Sequence, residues 1–309
     1  MKIAAIIITY NDGYKFKEWC RWYEEYRDEL YKLIIVDNGS EPEYIQQVET
    51  YFKDAIIIKR STNGGCTIAY NDGIRVALSD PNVTHITLIG NDIRISKGGL
   101  SQCADTLDLD NELGMVAPVL LRADSDIVVD FGCSINEDFT LNPFGKGLKL
   151  VELSDNIRYC DAVTGGMNIA KRSFYESTVG LQDENLFMYS DEVDMGLRAR
   201  SAGVKMASIR NAQAWHQHIN SSNSPARRHP FNKYLIARNK TYLANKYKGK
   251  EAAKRECWYF VKKAIHSIAI DIIKCRWGKV GTIRDMRWQI IGAINGLMGN
   301  MKPNKFSHL

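Results

Sequence analysis

Residues 189–203 read YSDEVDMGLRARSAG, and three carboxylates, Asp191, Glu192 and Asp194, crowd the start of a stretch whose apolar positions suit a helix. Acidic residues in a first turn complement the helix dipole and cap free N–H groups, for about 0.3–1 kcal/mol each. A cap at Ser190 or Asp191 meets that need, and the other carboxylates are left without a role. A second candidate is LIGND (88–92). An Asp leaving a strand suits a hard divalent cation, and Mg²⁺ or Mn²⁺ typically takes one or two carboxylates plus substrate phosphates. Asp92 is therefore the metal candidate, with neutral Asn91 beside it for donor contact. A turn-forming Asn-Asp pair is the plainer alternative. His216, directly after an apolar run, is a second candidate ligand, and His218 competes with it. Asp37, ending LIIVD, suits a hydrogen bond from a base or ribose hydroxyl. The flexible backbone at Asn63-Gly64-Gly65 allows close approach of a ligand.

Positioning these residues falls to a regular series of elements. IAAIIIT (3–9), LIIVD (33–37), AIIIK (55–59) and THITLIG (84–90) are continuous apolar runs. Helical patterns near 15–30, 42–51 and 65–79 separate them. Such runs indicate strands covered on both faces, hence an α/β chain with a mostly parallel central sheet flanked by helices. Ligands sit at the carboxyl ends of such strands. The four exits here are polar: Thr9-Tyr10-Asn11, Asp37-Asn38-Gly39, Thr62 to Gly65, and Gly90-Asn91-Asp92. Residues 110–180 are less regular and suggest extra strands, turns and one short helix. VKMASI (204–209) and AQAWH (212–216) read as two further strands, QHINSSNSPARRHP (217–230) as a loop, and the remainder as helical. Phosphate-binding G-x-x-x-x-G-K-[ST], dinucleotide-type G-x-G-x-x-G after the first strand, and the G-x-S-x-G elbow are all absent.

The net charge of +5 conceals an asymmetry: from Arg227 onward 19 basic residues face 4 acidic ones, whereas the first 226 residues carry 22 against 32. A basic segment of this kind faces a polyanion, either nucleic acid or an anionic membrane. No aromatic-basic interleaving of a nucleic-acid module accompanies it, so nucleic acid is not expected. The seven cysteines lack a C-x-x-C pair, against a structural zinc site or disulfide framework and in keeping with a reducing cytoplasm. MKIAAIIITY reads as a buried strand rather than a leader, and no run of apolar residues is long enough to span a bilayer.

Taken in order, IIITYN (6–11), IIVDNGS (34–40), NGGCTIAYNDGI (63–74), LIGND (88–92), TGGMNIAKRSF (164–174), GLQDENLFMYSDEVDMGLRARSAG (180–203) and WHQH (215–218) resemble the family-2 inverting glycosyltransferases of GT-A fold. KYLIARNKTYLANKY (233–247) is similar to a segment of their rhamnosyl- and galactofuranosyltransferase branches. The resemblance implies a catalytic domain over 1–226, divided near 110 into nucleotide-sugar and acceptor halves, and a basic helical region over 227–309. It implies transfer from a UDP- or dTDP-linked sugar to a glycan or lipid-linked hydroxyl by a single displacement, in cell-surface polysaccharide synthesis. The general base falls on Glu192 or its neighbour Asp191, with Asp194 anchoring the helix or binding acceptor. Thr9, Tyr10 and Asp37 fall where base and ribose bind, Asn63, Gly64 and Asn91 near the donor, and Asn11 and Gly165 in further substrate-binding positions. Asp92 and His216 fall on the metal site, for Mn²⁺ or Mg²⁺. The family commonly has N-N-D or D-x-D where this chain has Gly90-Asn91-Asp92, so the metal leans on His216 and the diphosphate.

In ECWYFVKKAIHSIAIDIIK, Trp258, Val261, Ile265, Ile268 and Ile272 form one apolar stripe that either packs on the main domain or meets a membrane. With the basic charge, this gives a cytoplasmic protein peripheral on the inner membrane face. A homo-oligomer is left open. Two other readings compete: a non-catalytic scaffold that binds glycan or nucleotide-sugar, and a sugar-phosphate nucleotidyltransferase, whose Gly-rich basic loop TYNDGYKF lacks.

Overall fold

Ile3–Thr9 form strand β1, whose side chains alternate between two cores. Ile3, Ala5 and Ile7 join one cluster; Ala4 and Ile6 join the other. This two-sided burial explains the continuous apolar runs. The computed structural model describes residues 1–163, 166–217, 225–273 and 282–302. The chain divides into two units: Met1–Asn136, Thr140–Asp183 and Glu192–Ile219 in the first, and Glu137–Phe139, Glu184–Asp191 and Asn220–Leu309 in the second.

In the first unit β1 is followed by α1 (Phe16–Tyr26), β2 (Lys32–Asp37), α2 (Pro42–Tyr51), β3 (Ile56–Lys59), α3 (Cys66–Ser79) and β4 (His85–Gly90). Next come β5 (Ile93–Ile95), α4 (Gly99–Leu109), β6 (Leu113–Arg122), β7 (Val128–Asp130), β8 (Cys133–Ile135) and β9 (Leu141–Pro143). The series closes with β10 (Ile157–Cys160), β11 (Met167–Lys171), α5 (Arg172–Glu176), α6 (Asp191–Ser201) and β12 (Lys205–His216). The large sheet has the order β10-β12-β6-β11-β4-β1-β2-β3, while β8 and β9 form a separate hairpin. Strands β4, β1, β2 and β3 are parallel. Beyond them β11 runs antiparallel to both β4 and β6, and β12 runs parallel to β6. Helices α1, α2 and α4 cover one face; α3, α5 and α6 cover the other. The α/β architecture with a large sheet flanked by helices is thus present.

Two elements differ from expectation: a helix begins at Pro225, inside the stretch expected to be a loop, and one strand replaces two. Residues 205–216 form a single strand rather than two, because Arg210, Asn211 and Ala212 are looped out between consecutive partners Pro118 and Val119 of β6. Pro118 has no N–H to offer, and a bulge absorbs the break. The strand resumes far enough for His216 to pair with Ile93 of β5.

The second unit holds α7 (Pro225–Lys248), α8 (Lys250–Ile273) and α9 (Thr282–Met298). A Cβ on Gly292 or Gly296 would stand 2.2 Å from the carbonyl oxygen of Tyr234 or Arg238 respectively, so these two glycines let α9 approach the backbone of α7. On α8 the inward face is Ala253, Cys257, Phe260 and Ala264, all buried, whereas Trp258 and Ile265 are more than half exposed. Of the expected stripe, Trp258, Ile265 and Ile272 lie on the outward face of α8, whereas Val261 packs against the inward cluster. Two apolar faces share this helix, and the one with smaller side chains packs more closely.

Candidate active site

The exits of the parallel strands are tied together by side chains. Thr9 ends β1 with its hydroxyl hydrogen-bonded to the Tyr44 hydroxyl of α2. Asp12, three residues on, is the hub. Its Oδ2 accepts Asn91 Nδ2 at 2.7 Å, Tyr10 N at 3.2 Å and Thr9 Oγ1 at 3.4 Å, and its Oδ1 lies 3.2 Å from Lys15 Nζ. Asn91, after β4, thus commits its amide to Asp12 and, at 3.3 Å, to Thr9. Asn11 donates its N–H to Ser40 Oγ at 2.9 Å and accepts Glu41 N at 2.8 Å, which joins β1 to the turn after β2. In that turn Asp37, 3% exposed, accepts Ser40 N at 3.1 Å.

Asn38 extends the network to the stretch after β3. Its Nδ2 donates to Asn63 Oδ1 at 2.9 Å and to the Gly65 carbonyl at 3.1 Å, and its Oδ1 accepts Gly64 N at 3.1 Å. Gly39 has φ +89°, and a Cβ there would sit 2.9 Å from the Thr62 backbone, so only glycine lets these two turns touch. The result is a polar floor spanning the ends of four parallel strands, with Thr9, Asp37, Asn38 and Asn91 buried.

At its edge Asp92 Oδ2 lies 3.2 Å from His216 Nε2. Burial alone would raise the Asp92 pKa, but the His216 hydrogen bond and the Lys15 charge outweigh it and bring it to about 2. A carboxylate that is ionised at neutral pH beside an imidazole is a donor set that fits a divalent cation. Among the described residues no group of three or more His, Cys, Asp and Glu could hold an ion. The pair therefore supplies two ligands at most, leaving positions for phosphate oxygens and water.

Asp191 opens α6 and Glu192 follows, both half-buried. The Glu192 charge reaches Cys133, whose thiol is pushed up first by burial, then by Asp130 and more weakly by Glu192. Asp194 is fully buried and accepts Arg198 Nε at 2.9 Å, while Arg198 also donates to the Val179 carbonyl. Of the two roles expected for Asp194, the bond to Arg198 within α6 suits helix anchoring. Gly165 and His218 lie outside the described residues. The structure thus brings Thr9, Tyr10, Asn11, Asp37, Asn63, Gly64 and Asn91 into one connected network and pairs Asp92 with His216. Asp12, Lys15, Ser40 and Tyr44 of that framework carry no individual signal in the sequence, and Asn38 only that of a polar strand exit. Asp12 and Asn38 sit inside motifs that were noticed; Tyr44 lies on a helix, where nothing local marks it.

The family model described as glycosyl transferase family 2 matches residues 5–165, more than half of the chain. The chain belongs to glycosyl transferase family 2. It is 24% identical over 192 residues to the low-salt glycan biosynthesis hexosyltransferase Agl10 of Haloferax volcanii, covering 60% of this chain and 58% of that protein. The chain therefore spans little more than half of the length of this relative. Among solved structures it is similar to S. aureus TarS 1–349 in complex with UDP-GlcNAc, with a TM-score of 0.52 and 14% identity over 98% of this chain and 82% of that one. It is likewise similar to the mannosyltransferase PcManGT of Pyrobaculum calidifontis in complex with GDP-Man and Mn²⁺, with a TM-score of 0.54 and 13% identity over 96% and 87%. At these identities the likeness speaks for the fold, which is GT-A.

Proposed function

We propose that this family-2 glycosyltransferase moves a hexosyl or related sugar from a nucleoside-diphosphate sugar to an acceptor hydroxyl, on a glycan or lipid-linked glycan, with inversion. The observation that carries the reading is the polar floor at the strand ends, with the ionised Asp92 beside His216 at its edge. Asp37, Asn63 and Gly64 would bind the nucleoside and Asn11 would order the floor. Asp92 and His216 would hold Mn²⁺ or Mg²⁺, which supplies charge stabilisation to a departing diphosphate. Glu192, or Asp191 beside it, would take the proton from the acceptor hydroxyl as it attacks the anomeric carbon. PcManGT was solved with GDP-Man and Mn²⁺, and TarS with UDP-GlcNAc, which supports a nucleotide-sugar donor here.

A thermal-shift screen against UDP, dTDP and GDP, with and without Mn²⁺, tests this. A nucleotide binding only the folded chain at 100 times its Kd adds about 2.7 kcal/mol. A Mn²⁺-dependent rise in Tm that Asp92→Ala abolishes supports the reading. No rise with any nucleotide overturns it and favours a glycan-binding scaffold.

The outward face of α8 supports a peripheral membrane location. Trp258, Tyr259, Ile265 and Ile273 are each more than half exposed, with Lys262 and Lys263 over the first two rings. No helix among the described residues is long and apolar enough to cross a membrane. Each basic residue near an anionic surface adds about 1 kcal/mol. Sedimentation with phosphatidylserine vesicles in rising salt checks this, and absent or salt-insensitive binding refutes it.

A further inference from the structure

Arg238 and Asn239 on α7 have no solvent exposure, and the transfer chemistry does not use either. A guanidinium and an amide are expensive to bury unless their donors are occupied. Here most of the donors converge on one short stretch of chain. Arg238 Nη2 donates to the carbonyls of Leu186 at 2.7 Å and Asn185 at 3.2 Å, and its Nε to Asn239 Oδ1 at 2.9 Å. Its Nη1 donates to the Met301 carbonyl at 2.8 Å. Asn239 Nδ2 shares its hydrogens among the carbonyls of Met188 and Tyr189, both at 2.8 Å, and Leu186 at 3.0 Å. Asn232, about two turns earlier on α7, accepts the Tyr189 hydroxyl at 3.0 Å.

The stretch being held is unusual. Phe187, Tyr189 and Ser190 have φ of 63°, 68° and 63°, left-handed values at three non-glycine positions. Such backbone persists only where the surroundings over-determine it, and it concentrates near functional sites. Each left-handed residue redirects the carbonyls next to it, and three of these, on Leu186, Met188 and Tyr189, accept hydrogen bonds from Arg238 and Asn239. Immediately afterwards the chain enters α6 at Asp191.

We infer that Arg238 and Asn239 are positioning residues: they clamp residues 185–189 in a strained path and so fix the direction in which Asp191 and Glu192 enter α6. The inference rests on the reading of one of those carboxylates as the base. Neither clamp residue touches substrate; both act through the backbone they hold.

The decisive variant is Asn239→Asp, which keeps the volume and the acceptor for Arg238 Nε but removes the group that donates to three carbonyls. The control is Leu243→Ala, a fully buried change on the same helix that makes none of these bonds. Three readouts separate the outcomes: hydrogen–deuterium exchange of peptides covering 184–196, the Mn²⁺-dependent thermal shift with UDP, GDP and dTDP, and turnover of the sugar nucleotide identified by that shift. Asn239→Asp should speed exchange at 186–192 about tenfold or more while strands β1 to β4 stay protected, an opening of local rather than global type. The nucleotide shift should be retained, and kcat should fall by about 10²-fold with donor KM unchanged, the scale of a misplaced reacting group. Unchanged exchange at 186–192 overturns the clamp, as does an equal loss of kcat in Leu243→Ala at matched Tm. Should the wild type turn over no sugar nucleotide, the base reading fails while the exchange arm still decides whether the clamp exists.

Discussion

Replacing Asp92 by Asn removes a charge and keeps the shape. The carboxyl is displaced from its ordinary 3.8 to about 2 by His216 and Lys15 acting against burial. At about 1.4 kcal/mol per tenfold change in proton affinity, this corresponds to on the order of 2 kcal/mol, or roughly 1–2 once solvent screening is allowed for. The sign follows from which state binds the proton first. As pH falls, the unfolded chain is protonated near 3.8 and the folded chain only near 2, so the contribution is complete above pH 4 and disappears between there and pH 2. Melting curves of wild type and Asp92→Asn, in chelator at pH 7, 5 and 3, should therefore show the variant lower by about 3–6 °C at the two higher values. The gap should shrink by about half at pH 3. His216→Gln should cost a similar amount, and the double variant less than the sum, since the two side chains form one interaction. A gap that is constant across pH, or strict additivity, refutes the claim that the contact of ionised Asp92 with His216 is built into the resting fold.

Further outcomes are expected elsewhere. Glu192→Gln should lower kcat by about 10²–10⁴-fold while the nucleotide thermal shift persists, and Asp191→Asn compared in the same assay identifies which of the two is the base. Gly292→Ala forces a methyl group to within 2.2 Å of the Tyr234 carbonyl and should destabilise the helical unit by about 1–3 kcal/mol in urea unfolding, whereas Gly299→Ala, with open space around it, tests only its left-handed φ and should cost less. His85, 2% exposed at the start of β4, has its pKa lowered by burial, with nearby Asp108 opposing. Its unfolded form takes up a proton first, so stability should decline as pH drops below 6.5; His85→Gln should flatten the Tm profile between pH 7 and 5, and an identical slope in both proteins refutes this.

What was legible in the sequence is what depends on neighbours along the chain. The runs at 3–9, 33–37 and 84–90 are strands because they are dense in Ile, Leu, Val and Ala on both faces, and they lead into polar residues, which marked Thr9, Asp37 and Asn91-Asp92 without any knowledge of the sheet. Asp12 and Asn38 have functions that exist only once strand order is known. Asp12 meets Asn91 across 79 residues because β4 lies directly beside β1, and Asn38 meets Gly64 because β3 lies beside β2. The bulge that carries His216 to Asp92 depends on a proline in a different strand, 91 positions before Ile209. The same logic applies to α7. In a helical reading Arg238 and Asn239 belong on a solvated face, since charged and amide side chains are seldom fully buried. They are interior because the loop before α6 turns its carbonyls inward, and nothing in the RN dipeptide announces that loop. Polar residues at strand exits reveal where chemistry sits. The polar residues that hold those exits and loops in place become visible only when the distant segment they serve is folded against them.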